Sequence, residues 1–332
     1  MTLGARLPAL PPHRLAAVPP DLCGGVVAVG NFDGVHRGHR VLLERALAEA
    51  TRLDVPAVVL TFEPHPRTLF RPATPVFRLT PLPAKARLFR ALGFDGLVFA
   101  DFDRAFSEIS APEFVAGVLV GRLHLKAAVV GFNFHFGKGR AGTPALLAEE
   151  GARLGFSVTI LPQVSGEDGA PVSSTAVRTA LAEGDIAAAN LGLGYRWFVV
   201  GEVIQGDRRG RTLGFRTANL ALAADCGLRH GVYAVRVGRA DGSNFDGVAS
   251  YGRRPTFGAG PPLLEVFLFD FSDDLYGEEI AVSFVSWIRP EAKFDSAGAL
   301  VAAMNQDAER ARQMLKSAGS GSPLDRALAG HA

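Results

Sequence analysis

Cysteine is scarce in this chain. Cys23 and Cys226 stand far apart and no CxxC pair occurs. That excludes a zinc ribbon, a thioredoxin-type redox pair and a dense disulfide scaffold, and it fits a reducing compartment. Charge of one sign is also lacking: 35 Lys and Arg against 33 Asp and Glu leave a formal net charge of +2. No broad positive field is available for non-specific nucleic-acid binding, so no nucleic-acid partner is expected. Long apolar runs are absent. The longest candidate starts at Phe114 and is broken by Arg122, His124 and Lys126, so no membrane span is expected. Arg6, Pro8, Pro11, Pro12 and Arg14 leave no apolar stretch for a signal peptide. A cytoplasmic protein is the expectation.

What is present supports a packed core, since hydrophobic residues fill 48% of 332 positions. At roughly 100–200 residues per domain, two domains are expected. Residues 1–22, rich in Pro and Ala, read as a lead-in segment. Apolar runs at 26–29, 57–62, 96–100, 127–131 and 157–161 then alternate with helical patterns at 40–52, 84–92, 111–123 and 145–154. Strands alternating with helices imply a parallel sheet, whose strands are covered on both faces and read as continuous apolar runs. This α/β domain is placed at 23–187. Beyond about residue 190 the pattern changes. Strand-like runs at 197–204, 231–237, 245–251, 264–271 and 279–287 have only turn signals between them, the texture of an antiparallel β-barrel or sandwich. A helix at 296–315 closes a second domain placed at 188–316, and the tail 317–332 is expected to be mobile.

The first chemical motif follows the first strand. Gly30-Asn31-Phe32-Asp33-Gly34-Val35-His36-Arg37-Gly38-His39 joins that strand to the first helix. Gly30, Gly34 and Gly38 permit tight turning and close backbone approach. A strand–loop–helix at the carboxyl end of a parallel strand aims backbone N–H groups and a positive dipole end at an anion. His36 and His39, three apart, share one helix face and can donate to phosphate oxygens as pyrophosphate leaves. The Walker pattern GxxxxGK[ST] is absent, and no further ligands at metal-site spacing accompany the two histidines.

This segment resembles the HxGH signature of nucleotidyltransferases. The longer string resembles the N-terminal module of the bacterial bifunctional riboflavin kinase/FMN adenylyltransferase (FAD synthetase) family. The resemblance implies a Rossmann-like fold for the first domain and an ATP site at Gly30, Asn31, Phe32, Asp33, Gly34, His36, Gly38 and His39. Phe62, Pro64, His65 and Pro66 match the family's TFxPHP, and Asn133 and Phe136 lie in its VGxDFxFG-like segment, with Asn133 where Asp is frequent. These six are the expected flavin contacts. Phe62 offers a flat apolar face for an isoalloxazine ring, or alternatively sits in the core. Ser174, Thr175 and Arg178 match ISSTxxR. Ser174 or Thr175 can cap a helix, and Arg178 can clamp a triphosphate.

Residues 201–220 resemble the riboflavin kinase signature GxVxxGdxxGRxLGFPTANL. Gly206, Gly210, Arg211 and Gly214 form its basic glycine loop, suited to wrapping phosphates. Thr217 and Asn219 are hard oxygen ligands two apart, which an extended segment turns the same way, suiting Mg2+ shared with ATP. Arg216 replaces the family's Pro. Glu265 shares a strand face with Phe267 and Phe269, where a carboxylate is costly unless it has a partner or a task. The resemblance makes it the base that takes the proton of the ribityl 5′-hydroxyl. Arg289, in the IRxxxKF segment, is assigned to flavin or nucleotide.

The implied activity is phosphorylation of riboflavin by ATP to FMN, then adenylylation of FMN to FAD and pyrophosphate. Partners are ATP, riboflavin and FMN, and assembly with further copies of the chain stays open. Two other readings are weighed. One is an FMN adenylyltransferase with a kinase impaired by Arg216. The other is a non-catalytic flavin or nucleotide binder, which would need neither Glu265 nor the histidine pair.

Overall fold

A computed structural model of the chain describes residues 9–163, 172–205, 216–252 and 262–329. The chain divides into two compact units, Pro8–Ser174 and a second beginning at Thr175.

The first unit is built on six parallel strands: β1 (Pro12–Arg14), β2 (Val26–Val29), β3 (Ala57–Glu63), β4 (Gly96–Asp101), β5 (Ala127–Gly131) and β6 (Ser157–Leu161). Their order is β1-β4-β3-β2-β5-β6. From β2 the chain steps outward to β3 and β4, then returns to place β5 on β2's other side. The strand order therefore reverses beside β2, where open α/β sheets bind ligands. All four residues of β2 are buried, as burial on both faces requires. One face carries Val27, Val29, Val58, Leu60, Val98 and Val130 into a core with Phe114, Leu119 and Leu147. Helix α1 (Arg37–Leu53) buries Leu42, Leu43, Ala46 and Ala50 beside β2 and β5.

Two local features depart from the sequence expectation. The lead-in segment supplies β1, which pairs with β4 and ties Arg14 to Asp101. An edge strand uses hydrogen bonds on one side only, so its proline is tolerated and its signal is weak. The expected helix at 111–123 is a single α-turn, Ala111–Glu113, followed by π-helical residues Phe114–Val120. Its wide i→i+5 spacing places Phe114, Val115, Val118 and Leu119 all in the core.

The second unit carries six antiparallel strands: β7 (Phe198–Glu202), β8 (Thr217–Ala221), β9 (Gly231–Gly238), β10 (Asn244–Gly252), β11 (Leu263–Leu268) and β12 (Glu279–Arg289). Their order is β7-β12-β9-β10-β11-β8. An antiparallel bridge between Ile204, just past β7, and Asn219 of β8 nearly closes the ring. Of the two β architectures expected, this is the barrel. Leu264, Val266 and Leu268 are buried, while Glu265 and Phe267 between them take the other face. On that face a long helix (Ala297–Ser317) packs Ala311 and Leu315 against Phe269, Ala234, Phe267 and Val248.

The tail also differs from expectation. Pro323–Leu328 form a helix with a Ser322/Asp325 capping box, and Asp325 Oδ1 accepts the Arg196 amide at 2.7 Å. Six residues are too few to show periodicity, so the only sequence signal is Ser-Pro-x-Asp.

Candidate active sites

The first site is the loop between β2 and α1. Its backbone is strained: Phe32 and Val35 hold φ of 46° and 40°, beside Gly34 at 88°. Left-handed backbone costs a non-glycine residue roughly 1–3 kcal/mol and persists only where the surroundings over-determine it. Here they do. Thr61 Oγ1 donates to the Asn31 carbonyl at 3.1 Å. Gly34 N donates to Thr80 Oγ1 at 2.8 Å, and that hydroxyl reaches the Phe32 carbonyl at 3.2 Å. Thr80 N donates to Asp33 Oδ1 at 3.0 Å, and Ser174 Oγ donates to the Asp33 carbonyl at 2.6 Å. The Asp33 carboxylate is thus turned inward as an anchor, and Asn31 alone among these residues is exposed. Glycine gives room for close approach at two flanking positions. A Cβ on Gly30 would lie 3.0 Å from the Phe32 ring, and one on Gly38 would lie 3.2 Å from the His36 ring.

His36 is the N-cap of α1, its Nδ1 accepting from His39 N at 3.3 Å. That bond leaves the proton of the neutral ring on Nε2. The His36 and His39 rings stack at 3.7 Å, and His39 meets Phe32 edge-on at 5.4 Å. Burial pushes His36 down to about 4, only partly offset by Asp33. Burial also holds His39 well below the ordinary imidazole range, assisted by His36 and the Lys85 ammonium. Both rings are therefore neutral at pH 7. Each can donate one hydrogen bond, and the positive potential comes from the α1 N-terminus. His39 Nδ1 is buried with no hydrogen-bond partner among the described residues, an atom a ligand oxygen or donor would satisfy.

Beneath this loop lies a polar cluster that the sequence reading missed. Helix α2 (Pro66–Phe70) follows β3, and α3 (Leu82–Leu92) carries Lys85. Lys85 is 4% exposed. Its Nζ donates to Thr61 Oγ1 at 3.0 Å and to Glu63 Oε1 at 3.1 Å, and Arg78 pairs with the other Glu63 oxygen. The one signal available was a lysine on the apolar stripe with Leu88 and Phe89.

Among the expected flavin contacts, Phe62 and Phe136 meet the same ring, Phe114, at 6.5 and 5.2 Å. Phe62 is buried among Phe102, Phe106 and Phe114, with ring centroids 6.0–6.5 Å away. Phe136 is buried and stacked on Phe134 at 5.4 Å. Phe62 takes the core position, and Phe136 is buried in the same cluster. Pro64 is exposed. His65 caps α2, whose first residue is Pro66, by accepting from Arg67 N at 3.1 Å. Asn133 is exposed beyond β5. The Ser174 hydroxyl holds the loop rather than capping a helix. Thr175 and Arg178 lie on the helix Ser174–Glu183, past the boundary of the first unit.

The second site lies on the barrel's outer face. Glu265 stands opposite Asn219 on one side and Ser250 on the other, and Phe267 stands opposite Thr217 and Val248. Residues directly opposite in antiparallel strands share a face, and i and i+2 do as well. Thr217, Asn219 and Glu265 therefore face the same way. Asn219 Nδ2 donates to the Thr217 carbonyl at 3.3 Å, leaving Oδ1 as the amide's acceptor. Among the described residues no group of three His, Cys, Asp or Glu could hold a metal alone. Oxygens of Thr217 and Asn219 completed by ATP phosphates suit Mg2+, which keeps few protein ligands. Arg216 Nη1 donates to the Ser272 carbonyl at 3.1 Å. Arg289 forms a two-oxygen ion pair with buried Asp307 on the long C-terminal helix, at 2.7–3.1 Å, and so ties β12 to that helix. Gly206, Gly210, Arg211 and Gly214 lie outside the described residues. A 740 Å³ cavity lined by Arg196, Arg236, Phe245, Asp270 and Arg312 includes none of these site residues.

Comparisons with known proteins match this division. The sequence model of the FAD synthetase family covers residues 18–176 and that of the riboflavin kinase family covers 193–315. A bifunctional riboflavin kinase/FMN adenylyltransferase of Escherichia coli (strain K12) is 40% identical over 301 residues, 91% of this chain and 95% of the relative. One of Listeria monocytogenes is 39% identical over 291 residues, 86% of this chain and 91% of the relative. A solved Streptococcus pneumoniae chain described as a macrolide-efflux protein aligns with a TM-score of 0.76 at 31% identity, over 91% of this chain and 98% of that one.

Proposed function

The chain belongs to the bifunctional riboflavin kinase/FMN adenylyltransferase family, and we propose how its residues divide the two reactions. It phosphorylates riboflavin with ATP to FMN and ADP, then transfers AMP from a second ATP to FMN, giving FAD and pyrophosphate.

The barrel carries the first step. Glu265 takes the proton of the ribityl 5′-hydroxyl as its oxygen attacks the γ-phosphorus and the bond to ADP breaks. Thr217 and Asn219 would hold Mg2+, which when bound neutralises phosphate charge. The parallel-sheet unit carries the second step. An FMN phosphate oxygen attacks the α-phosphorus and pyrophosphate leaves. The His36 Nε2–H, the neutral His39 ring and the α1 N-terminus stabilise the charge passing to the leaving group. Positioning supplies most of the rate, since the flavin phosphate is itself the nucleophile.

The observation that carries this division is that each unit has its own constellation: a stacked imidazole pair at a helix N-terminus, and a carboxylate abreast of two oxygen ligands on a barrel wall. Arg216, engaged with the Ser272 carbonyl, gives no support to an impaired kinase. Arg289 serves the kinase through the position of the C-terminal helix. We place both reactions in the cytoplasm, supported by the sparse cysteines. No helix among the described residues is long and apolar enough to cross a membrane.

The test is a time course with riboflavin, ATP and Mg2+, separating flavins by chromatography. FMN should rise and then give way to FAD. Unchanged riboflavin beside conversion of added FMN would leave the adenylyltransferase alone.

A further inference from the structure

We propose that Lys85 is a positioning residue for adenylyl transfer: from α3, together with Thr80, it clamps the left-handed loop that carries His36 and His39. This rests on assigning adenylyl transfer to the first unit.

The position invites an apolar side chain. Lys85 is 4% exposed and flanked on its helix by buried Ala84, Ala86, Leu88 and Phe89. A methionine would fill the same space without the cost of a buried ammonium. The ammonium's contacts show what it adds. Nζ donates to Thr61 Oγ1 at 3.0 Å. A hydroxyl has a single proton, so a donor on its lone pair directs that proton elsewhere. Here it goes to the Asn31 carbonyl at 3.1 Å, the first peptide of the strained loop. Thr80, just ahead of α3, holds the Phe32 carbonyl, the Asp33 carboxylate and the Gly34 amide. Four consecutive loop residues are thus fixed, from β3 and from Thr80 just ahead of α3, around φ values of 46° and 40° that would otherwise relax.

The charges are arranged to the same end. Glu63 balances Lys85 at 3.1 Å and also pairs with Arg78. Asp33 and the imidazoles face Lys85 from the loop, and its positive charge disfavours protonation of His39. The clamp therefore holds both the backbone and the neutral imidazole pair.

The test uses the full chain, whose kinase serves as an internal control. Lys85→Met should lower kcat for FMN adenylylation by about 10²-fold, as a misplacement of reacting groups does. KM for ATP should change less than about threefold, and riboflavin phosphorylation less than about twofold. Glu63→Gln/Lys85→Met removes both charges of the buried pair and guards against simple misfolding. It should fold, with an unchanged thermal transition, and stay slow. Wild-type adenylylation in either variant, or a slow rate that appears only when the chain is unfolded, overturns the proposal. His36→Ala run in parallel separates the two failures. If it is inactive while Lys85→Met is not, Lys85 alone is misassigned. If it is fully active, the site assignment itself fails.

Discussion

The two sites solve a phosphate problem in different ways. In the first unit the loop after β2 bends through left-handed backbone, and buried Thr61, Thr80 and Lys85, with half-buried Ser174, hold it there. In the barrel, strand register puts Thr217, Asn219 and Glu265 on one face. A site made of backbone groups must fix peptides, so it recruits polar anchors from neighbouring strands and helices. A site made of side chains on a sheet inherits its geometry from ladder hydrogen bonds. The first should therefore fail when a remote anchor is removed, and the second should respond most to loss of a reacting side chain.

Among the anchors that do not touch the reacting groups, Asp33→Ala should give a large contrast. It removes the carboxylate that accepts the Thr80 amide at 3.0 Å. FAD formation from FMN should fall by about 10²-fold while riboflavin phosphorylation is unchanged. Steady-state rates of the two half-reactions on one preparation check this, and equal loss of both would erase the contrast.

Titration sharpens it further. His36 is lowered from 6.5 to about 4. The folded state prefers the neutral ring, so its stabilisation is complete above the unfolded value of 6.5 and is lost as pH falls toward 4. Over that window the loss is on the order of 3 kcal/mol. NMR of the imidazole resonances should show His36 unprotonated at pH 5.5; an ordinary midpoint near 6.5 would mean that the pair is not buried as described.

The smallest effect is expected from Arg216→Pro. Arg216 touches only the Ser272 carbonyl among the hydrogen bonds described, at an exposed position. The kinase rate should stay within about threefold, because the Arg216 side chain is exposed and bonded to the Ser272 carbonyl. A sharp fall would make Arg216 part of the kinase site.

Legibility in the sequence followed the same division. The central parallel strands were readable because burial on both faces writes a continuous apolar run, as in Val26–Val29. His36 and His39 stand out in the sequence by local motif, and Glu265 by alternation along its strand. The anchors do not. Thr61, Thr80 and Lys85 reach the loop only through β3 lying beside β2 and α3 folding over their ends, and no local pattern records that. The same holds for β1, which needs β4, and for Asp307, the ion-pair partner of Arg289 on the long C-terminal helix. Phe62 fits both a flavin wall and a core by type, and only its aromatic neighbours place it in the core.

The most direct test supplies riboflavin and FMN separately to the His36→Ala and Glu265→Ala chains, with ATP and Mg2+, and separates the flavins formed. Two independent sites predict a crossed pattern. Glu265→Ala should lose FMN formation by about 10²–10⁴-fold and keep FAD formation from FMN. His36→Ala should keep FMN formation and lose FAD formation by about 10²–10³-fold. Loss of both reactions in either folded variant would contradict the division of chemistry between the two units.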